Sequence, residues 1–261
     1  MADAGSPPNS PSGLGATDLA SAGAAFSPLY RQIKTLLIQS LHRGEWKPGE
    51  LIPSEVDLAA RFQVSQGTVR KAVDELAAEH LLLRRQGKGT FVATHQEARV
   101  RYRFLRLTPD EQDVDGRVES RILGCRRLRA PAEVGRALDL RAAEMVVMIR
   151  RLLALNGTLT VLDDIWLPGS IFRGLTFELL TASPMPLYSL FESKFGVSMV
   201  RADEKLRAVP ASEESARLLA IPVGKPLLQV DRLSYTYGGR PMEVRRGLYL
   251  TEHYHYRNSL N

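Results

Sequence analysis

The chain has 261 residues, 44% of them hydrophobic, with a formal net charge of +6 and an isoelectric point near 9.6. That is enough for two ordinary domains, and the basic balance favours an anionic partner, nucleic acid first. Its one cysteine, Cys125, excludes an intrachain disulfide framework and fits a reducing compartment. No run nears the roughly 18 apolar residues of a membrane span. No Lys or Arg precedes Arg31, so neither a membrane anchor nor a secretory leader is expected, and the protein is read as cytoplasmic.

Residues 1–27 are almost all Ala, Gly, Ser and Pro, too poor in large apolar groups to fold, and are expected to form a disordered tail. From Leu29, the spacing of Tyr30, Ile33, Leu37 and Leu41 predicts a first helix, closed by Gly44 and a Trp46-Lys47-Pro48-Gly49 turn. Ser54, with Asp57 three residues on, predicts a capped second helix burying Leu58, Ala59 and Phe62. After a brief turn, Ser65 caps a third helix whose buried stripe is Val69, Ala72, Val73 and Leu76.

Two short helices across a tight turn make a helix-turn-helix. The outward face of the third carries Gln66, Thr68, Arg70 and Lys71, side chains able to bond base edges or phosphates from within the major groove. Gly67 between them permits close backbone approach. Leu81–Arg85, Gln86-Gly87-Lys88-Gly89 and Thr90-Phe91-Val92 then read as strand, glycine turn and strand: a wing whose tip, with Lys88, faces the DNA backbone or minor groove. The Gly87-Lys88-Gly89-Thr90 run is not a nucleotide loop, because it lacks the earlier glycine and precedes a strand.

The ordered run Pro48-Gly49-Glu50-Leu51-Ile52-Pro53-Ser54-Glu55, Leu58-Ala59, Phe62, Val64-Ser65-Gln66-Gly67-Thr68-Val69-Arg70-Lys71-Ala72 and Gly87-Lys88-Gly89-Thr90-Phe91-Val92 resembles the GntR family of bacterial regulators over about 65 residues. The resemblance implies DNA contacts from Ser54, Ser65, Gln66, Thr68, Arg70, Gln86 and Gly87. Val56 and Gln66 stand where relatives often carry arginine, and glutamine pairs with adenine where arginine pairs with guanine.

Beyond about Arg99 the chain reads as strands interleaved with short helices. Met145–Leu155 and Leu159–Trp166 flank an Asn156-Gly157 turn, and Leu227–Tyr237 and Pro241–Leu250 flank Gly238-Gly239. A short helix precedes each hairpin, at 131–138 and 211–219, so a domain of two related halves is expected. This half resembles the sensor of the HutC branch, the UTRA domain with the chorismate lyase fold. The fold expected is therefore α+β: a tail over 1–27, a winged helix-turn-helix over 28–94, and an effector-binding and dimerisation domain over 95–261 with helices covering an antiparallel sheet.

Glu243 and Tyr249 share a strand face, and Arg151 and Asp163 stand six residues either side of Gly157, hence opposite one another. Resemblance to UTRA domains implies that these four hold the effector: Arg151 an anionic group, Asp163 and Glu243 hydroxyls or amines, Tyr249 a further hydrogen bond. Arg151 and Asp163 equally fit a structural ion pair. Relatives that bind sugar phosphates carry a second arginine two residues after the first; Leu153 stands there instead, so a mono-anionic metabolite is expected. No nucleophile motif, metal-ligand spacing or cofactor fingerprint is present, so no enzyme activity, metal or cofactor is expected. The resemblance implies a sequence-specific repressor, homodimeric on an inverted repeat and controlled by that effector.

Overall fold

A computed structural model describes residues 27–95, 105–110 and 117–258, so the expected tail lies outside the described residues except for Ser27. Helix α1 (Leu29–His42) buries Ile33, Leu37 and Leu41 at the predicted spacing. Helix α2 (Glu55–Phe62) opens with a reciprocal cap. The Asp57 backbone N–H donates to Ser54 Oγ, and the Ser54 N–H donates to the Asp57 carboxylate, each at 3.2 Å. Gln63, at φ 53°, turns the chain, and Ser65 Oγ accepts from the Thr68 N–H to cap α3 (Gln66–Ala78). The wing pairs β1 (Leu82–Arg85) with β2 (Gly89–Val92), and Leu51 bridges to Phe91 beside them.

Helices shorter than about 12–15 residues are marginal alone, so their shared core decides whether they form. Leu37, Leu58, Val69, Leu76 and Val92 are all at most 1% exposed. Each such side chain contributes roughly 1.5–3 kcal/mol relative to exposure.

The rest of the chain is built on a six-stranded antiparallel sheet. In chain order come β3 (Leu107–Pro109), β4 (Val118–Arg129), α4 (Ala132–Ala137), β5 (Met145–Leu155), β6 (Thr158–Pro168), α5 (Phe177–Ala182) and α6 (Leu187–Phe195). There follow β7 (Arg201–Pro210), α7 (Glu213–Leu219), β8 (Pro226–Tyr235), β9 (Pro241–Tyr249) and β10 (Tyr254–Tyr256). The sheet order is β4-β5-β6-β9-β8-β7, while β3 pairs with β10 apart from it. The unit strand–helix–hairpin therefore occurs twice, with β6 and β9 adjacent at the seam.

At the first hairpin Asn156 and Gly157 have φ of 51° and 83°, the two left-handed residues of the expected tight turn. The edge strands β4 and β7 were not foreseen as partners of the two hairpins. Their sequences are dominated by charged and exposed residues, without the clean alternation that marks a half-buried strand.

Period-2 alternation sorts β5 between two layers. Val147 and Ile149 face α5 and α6, packing with Phe172, Leu190 and Phe191. Val146 packs with Val134 and Leu138 around α4, and Leu152 with Ala216 and Leu219 of α7. The two parts of the chain also touch: Tyr237, in the turn between β8 and β9, belongs to the core formed by α1–α3.

Candidate DNA interface and ligand cavity

The short turn before α3 leaves its N-terminal residues at the surface. Ser54, Ser65, Gln66, Gly67, Arg70 and Lys71 are exposed and Thr68 is half-buried, its hydroxyl 2.8 Å from that of Ser65. Gln86, Gly87 and Lys88 are exposed at the wing tip. The ammonium of Lys71 lies 4.0 Å from the centre of the Tyr30 ring, which ties the recognition helix to α1. Glu55 and Arg84 were overlooked in the sequence, yet Glu55 meets both Arg70 and Arg84. Their signal is the helix start beside the recognition helix, which chain order hides.

A cavity of about 650 Å³ opens between the sheet and the α5–α6 layer, lined by Leu153, Leu187, Tyr188, Arg151, Arg232 and Arg245 among others. The volume lies within the range of small-molecule sites, about 300–1,000 Å³. Arg151 and Asp163 face one another in register, as the turn arithmetic predicts. Arg151 donates to Asp163 Oδ2 through Nε (3.0 Å) and Nη2 (2.8 Å), and Arg245 Nη1 reaches the same oxygen at 3.2 Å. Arg245 also grips Glu243 with Nε (3.1 Å) and Nη2 (2.9 Å). Tyr188 and Ser234 donate hydroxyls to Glu243 Oε1 at 2.7 and 3.2 Å.

Burial alone would oppose ionisation of Asp163, but the guanidiniums of Arg245 and Arg151 outweigh it and hold the carboxyl below its usual value. Burial pushes the Tyr188 phenol up to about 12, so it stays a donor at neutral pH.

Of the four expected effector residues, only Arg151 reaches the cavity wall. Asp163, Glu243 and Tyr249 are at most 1% exposed and lie behind the arginines. Leu153 does stand two residues after Arg151 in the lining, but Arg151 is not the sole guanidinium there, because Arg121, Arg232 and Arg245 line the cavity too. Arg245 shares a strand face with Glu243, two residues on, and Arg232 faces Arg245 in register across β8 and β9. The first relation was readable by alternation; the second needed the register.

Helix α6 connects this cavity to the first part of the chain. Tyr188 and Leu187 are in the wall, while Ser189 Oγ donates to the His95 carbonyl at 2.8 Å. The buried Glu192 carboxylate accepts from the Thr94 hydroxyl, from the His95 N–H at 3.1 Å and from Ser198 Oγ at 3.2 Å. Thr94 and His95 follow β2 after the single residue Ala93, so the helix that walls the cavity also holds the end of the wing domain.

A winged helix-turn-helix joined to a sheet domain with an arginine-lined cavity defines a ligand-responsive DNA-binding regulator. The comparisons with known proteins agree. Residues 29–92 match the bacterial regulatory proteins of the gntR family and residues 114–255 match the UTRA domain. The chain belongs to the GntR family, in its UTRA-bearing architecture, the arrangement of the HutC branch.

It is 31% identical to the mannosyl-D-glycerate transport/metabolism system repressor MngR of Escherichia coli over 87% of this chain and 93% of that one. It is 30% identical to the HTH-type transcriptional repressor STM4068 of Salmonella typhimurium over 88% and 98%. Among solved structures, the ligand-binding domain of a putative GntR-family regulator from Bordetella bronchiseptica is 75% identical, with a TM-score of 0.60 over 61% of this chain and 99% of that one. YydK of Bacillus subtilis shares the fold, with 20% identity and a TM-score of 0.54 over 90% and 100%.

The function is thus that of an effector-regulated transcriptional repressor, and the family and its named members are regulators rather than enzymes. No helix among the described residues is long and apolar enough to cross a membrane.

Proposed function

We propose that this cytoplasmic repressor divides at about residues 94 and 95, and that its effector is a hydroxylated metabolite with a single carboxylate. The observation that carries the reading is the charge balance of the cavity wall. Arg151, Arg232 and Arg245 face the ligand space, while Asp163, Glu204 and Glu243 already neutralise them from behind. A wall of compensated guanidiniums offers directed donors without a large excess of positive charge. One carboxylate takes a bidentate contact there, whereas a dianion would draw on the remaining guanidinium of the wall, Arg121, which is solvent-exposed and shares the lining with Glu119. Asp163 and Glu243 act on the ligand through the arginines they orient, while Tyr249 packs with Val161 and Val230 in the core. The name of the E. coli relative points the same way: glycerate carries one carboxylate beside hydroxyls.

On DNA, α3 enters the major groove with Ser65, Gln66, Gly67, Thr68, Arg70 and Lys71, while Ser54 and the wing residues Gln86, Gly87 and Lys88 position it on the backbone. One such module reads only a few base pairs. A homodimer joined through residues after about 95 therefore reads an inverted repeat. The effector alters operator affinity through α6, because Tyr188 touches the ligand space and Ser189 and Glu192 hold Thr94 and His95.

Calorimetric titration of the full chain with glycerate, glycosyl-glycerates and hexose phosphates tests the effector. A carboxylate binds, and Arg151→Ala weakens it by about 1.5–3 kcal/mol, the range for a hydrogen bond to a charged group. Tight binding of a hexose phosphate and of no carboxylate would overturn the reading.

A further inference from the structure

We infer that Glu55 is a specificity-determining residue of the operator interface, holding Arg70 so that it presents its two terminal amino groups to a guanine. The inference rests on the reading of α3 as the groove helix. Glu55 is the first residue of α2 and its side chain is only 17% exposed, against 57% for Arg70 and 42% for Arg84. Glu55 Oε2 accepts from Arg70 Nε at 2.9 Å, and Oε1 accepts from Arg84 Nη2 at 2.8 Å. Gln66 Nε2 lies 3.5 Å from Oε2, at the limit of a hydrogen bond. One carboxylate thus gathers two positions of the recognition helix and one of the wing strand.

The geometry sorts these groups. With Nε committed to Glu55, the Nη1–Nη2 fork of Arg70 is the edge left for a base, and that fork matches O6 and N7 of guanine. An untethered arginine would surrender rotamer freedom on binding; this one is already held. A carboxylate beside a polyanion opposes binding by charge alone, so its benefit lies in discrimination rather than affinity. The contact to Arg84 ties β1 to α2, so the wing and the recognition helix meet the duplex in a fixed relation.

The test is selection of full-length protein on a randomised duplex library, with affinities for the selected site measured across a salt series. Wild type selects a guanine at one step of each half-site. Glu55→Gln is expected to lose at least tenfold in preference for that guanine, with the salt slope kept and binding to unselected duplex unchanged or tighter. Glu55→Asp keeps the charge at the helix start but not the reach, so it loses the preference too; a preference kept by Asp and lost by Gln would assign Glu55 to the helix dipole and overturn the inference. A merely structural role would weaken every sequence together. Arg70→Ala separates the two levels. Loss of the guanine there, with Glu55→Gln retaining it within twofold, would overturn the role of Glu55 alone. An Arg70→Ala protein that selects the wild-type site would remove the placement of α3 itself.

Discussion

The molecule uses arginine–carboxylate pairs in two places, and their surroundings give them opposite energetics. At the DNA face Arg70 and Glu55 meet with Arg70 57% exposed. In the sensor Arg151 and Asp163 are 9% and 1% exposed, and Arg245 and Glu243 are 6% and 0%. Exposed pairs contribute about 0–1 kcal/mol because water screens them. Breaking a buried pair by deleting one partner costs about 3–5 kcal/mol, since the other charge is stranded. The DNA face can therefore vary its side chains at little cost to folding, whereas the sensor's arginines depend on carboxylates buried outside the cavity lining.

The sharpest break of this contrast is Asp163→Ala, which removes the acceptor shared by Arg151 and Arg245. A loss of about 3–5 kcal/mol is expected, or roughly 6–20 °C in melting temperature at about 2–4 °C per kcal/mol. Scanning calorimetry reads it, and a loss below about 1 kcal/mol would place this pair with the surface pairs. The pH dependence has a definite sign. The Asp163 pKa is lowered on folding, so its contribution is present above the unfolded value of about 3.9 and fades as pH falls through the folded one. Wild type should lose this stability only below about pH 4, and Asp163→Ala should lack that acid-labile portion.

Gly247→Ala probes the same cluster by shape. Gly247 pairs with Asp163 across β6 and β9, and an added Cβ would lie 2.3 Å from Tyr249 Cε1 and 2.9 Å from Asp163 Oδ1. Overpacking of this kind costs about 1–3 kcal/mol. An unshifted melting curve would mean that the Tyr249 ring has room to turn aside.

Between the two regions, Glu192→Gln keeps the shape of the α6 contact and removes its charge. Three donors converge on this carboxylate, and an amide offers them one acceptor oxygen. Hydrogen bonds to a charged group are worth about 1.5–3 kcal/mol, so exchange at the His95 amide should accelerate by roughly ten- to a hundredfold. Unchanged protection would show that the Ser189 contact to His95 and the docking of Tyr237 hold the domains together without the Glu192 charge.

The smallest effect is at the wing tip. Lys88→Ala should leave the melting temperature unmoved and reduce the salt slope of DNA binding by about 1, the value for one phosphate contact. A loss confined to particular sequences would instead make Lys88 a base reader.

Much of the wing domain was legible residue by residue. Ser54 with Asp57, and Ser65 with Thr68, are local capping signals, and the stripe of α3 follows from a period of 3.6 residues. Asn156-Gly157 located a hairpin, and counting outward from it paired Arg151 with Asp163. These signals are short-ranged, carried by backbone geometry within a turn or a hairpin, and so they survive in the chain order.

The tertiary structure alone decided what depends on neighbours far apart in sequence. Arg151, Arg232 and Arg245 reach one cavity because β5, β8 and β9 lie in one sheet, and Glu243 sits behind them because α6 supplies Tyr188 across it. The docking of Tyr237 into the core of α1–α3, and of Glu192 onto Thr94, joins residues roughly a hundred or more positions apart. Whether a charge lines a cavity or is sealed beneath it is set by which distant groups neutralise it and exclude water, and no local pattern records that.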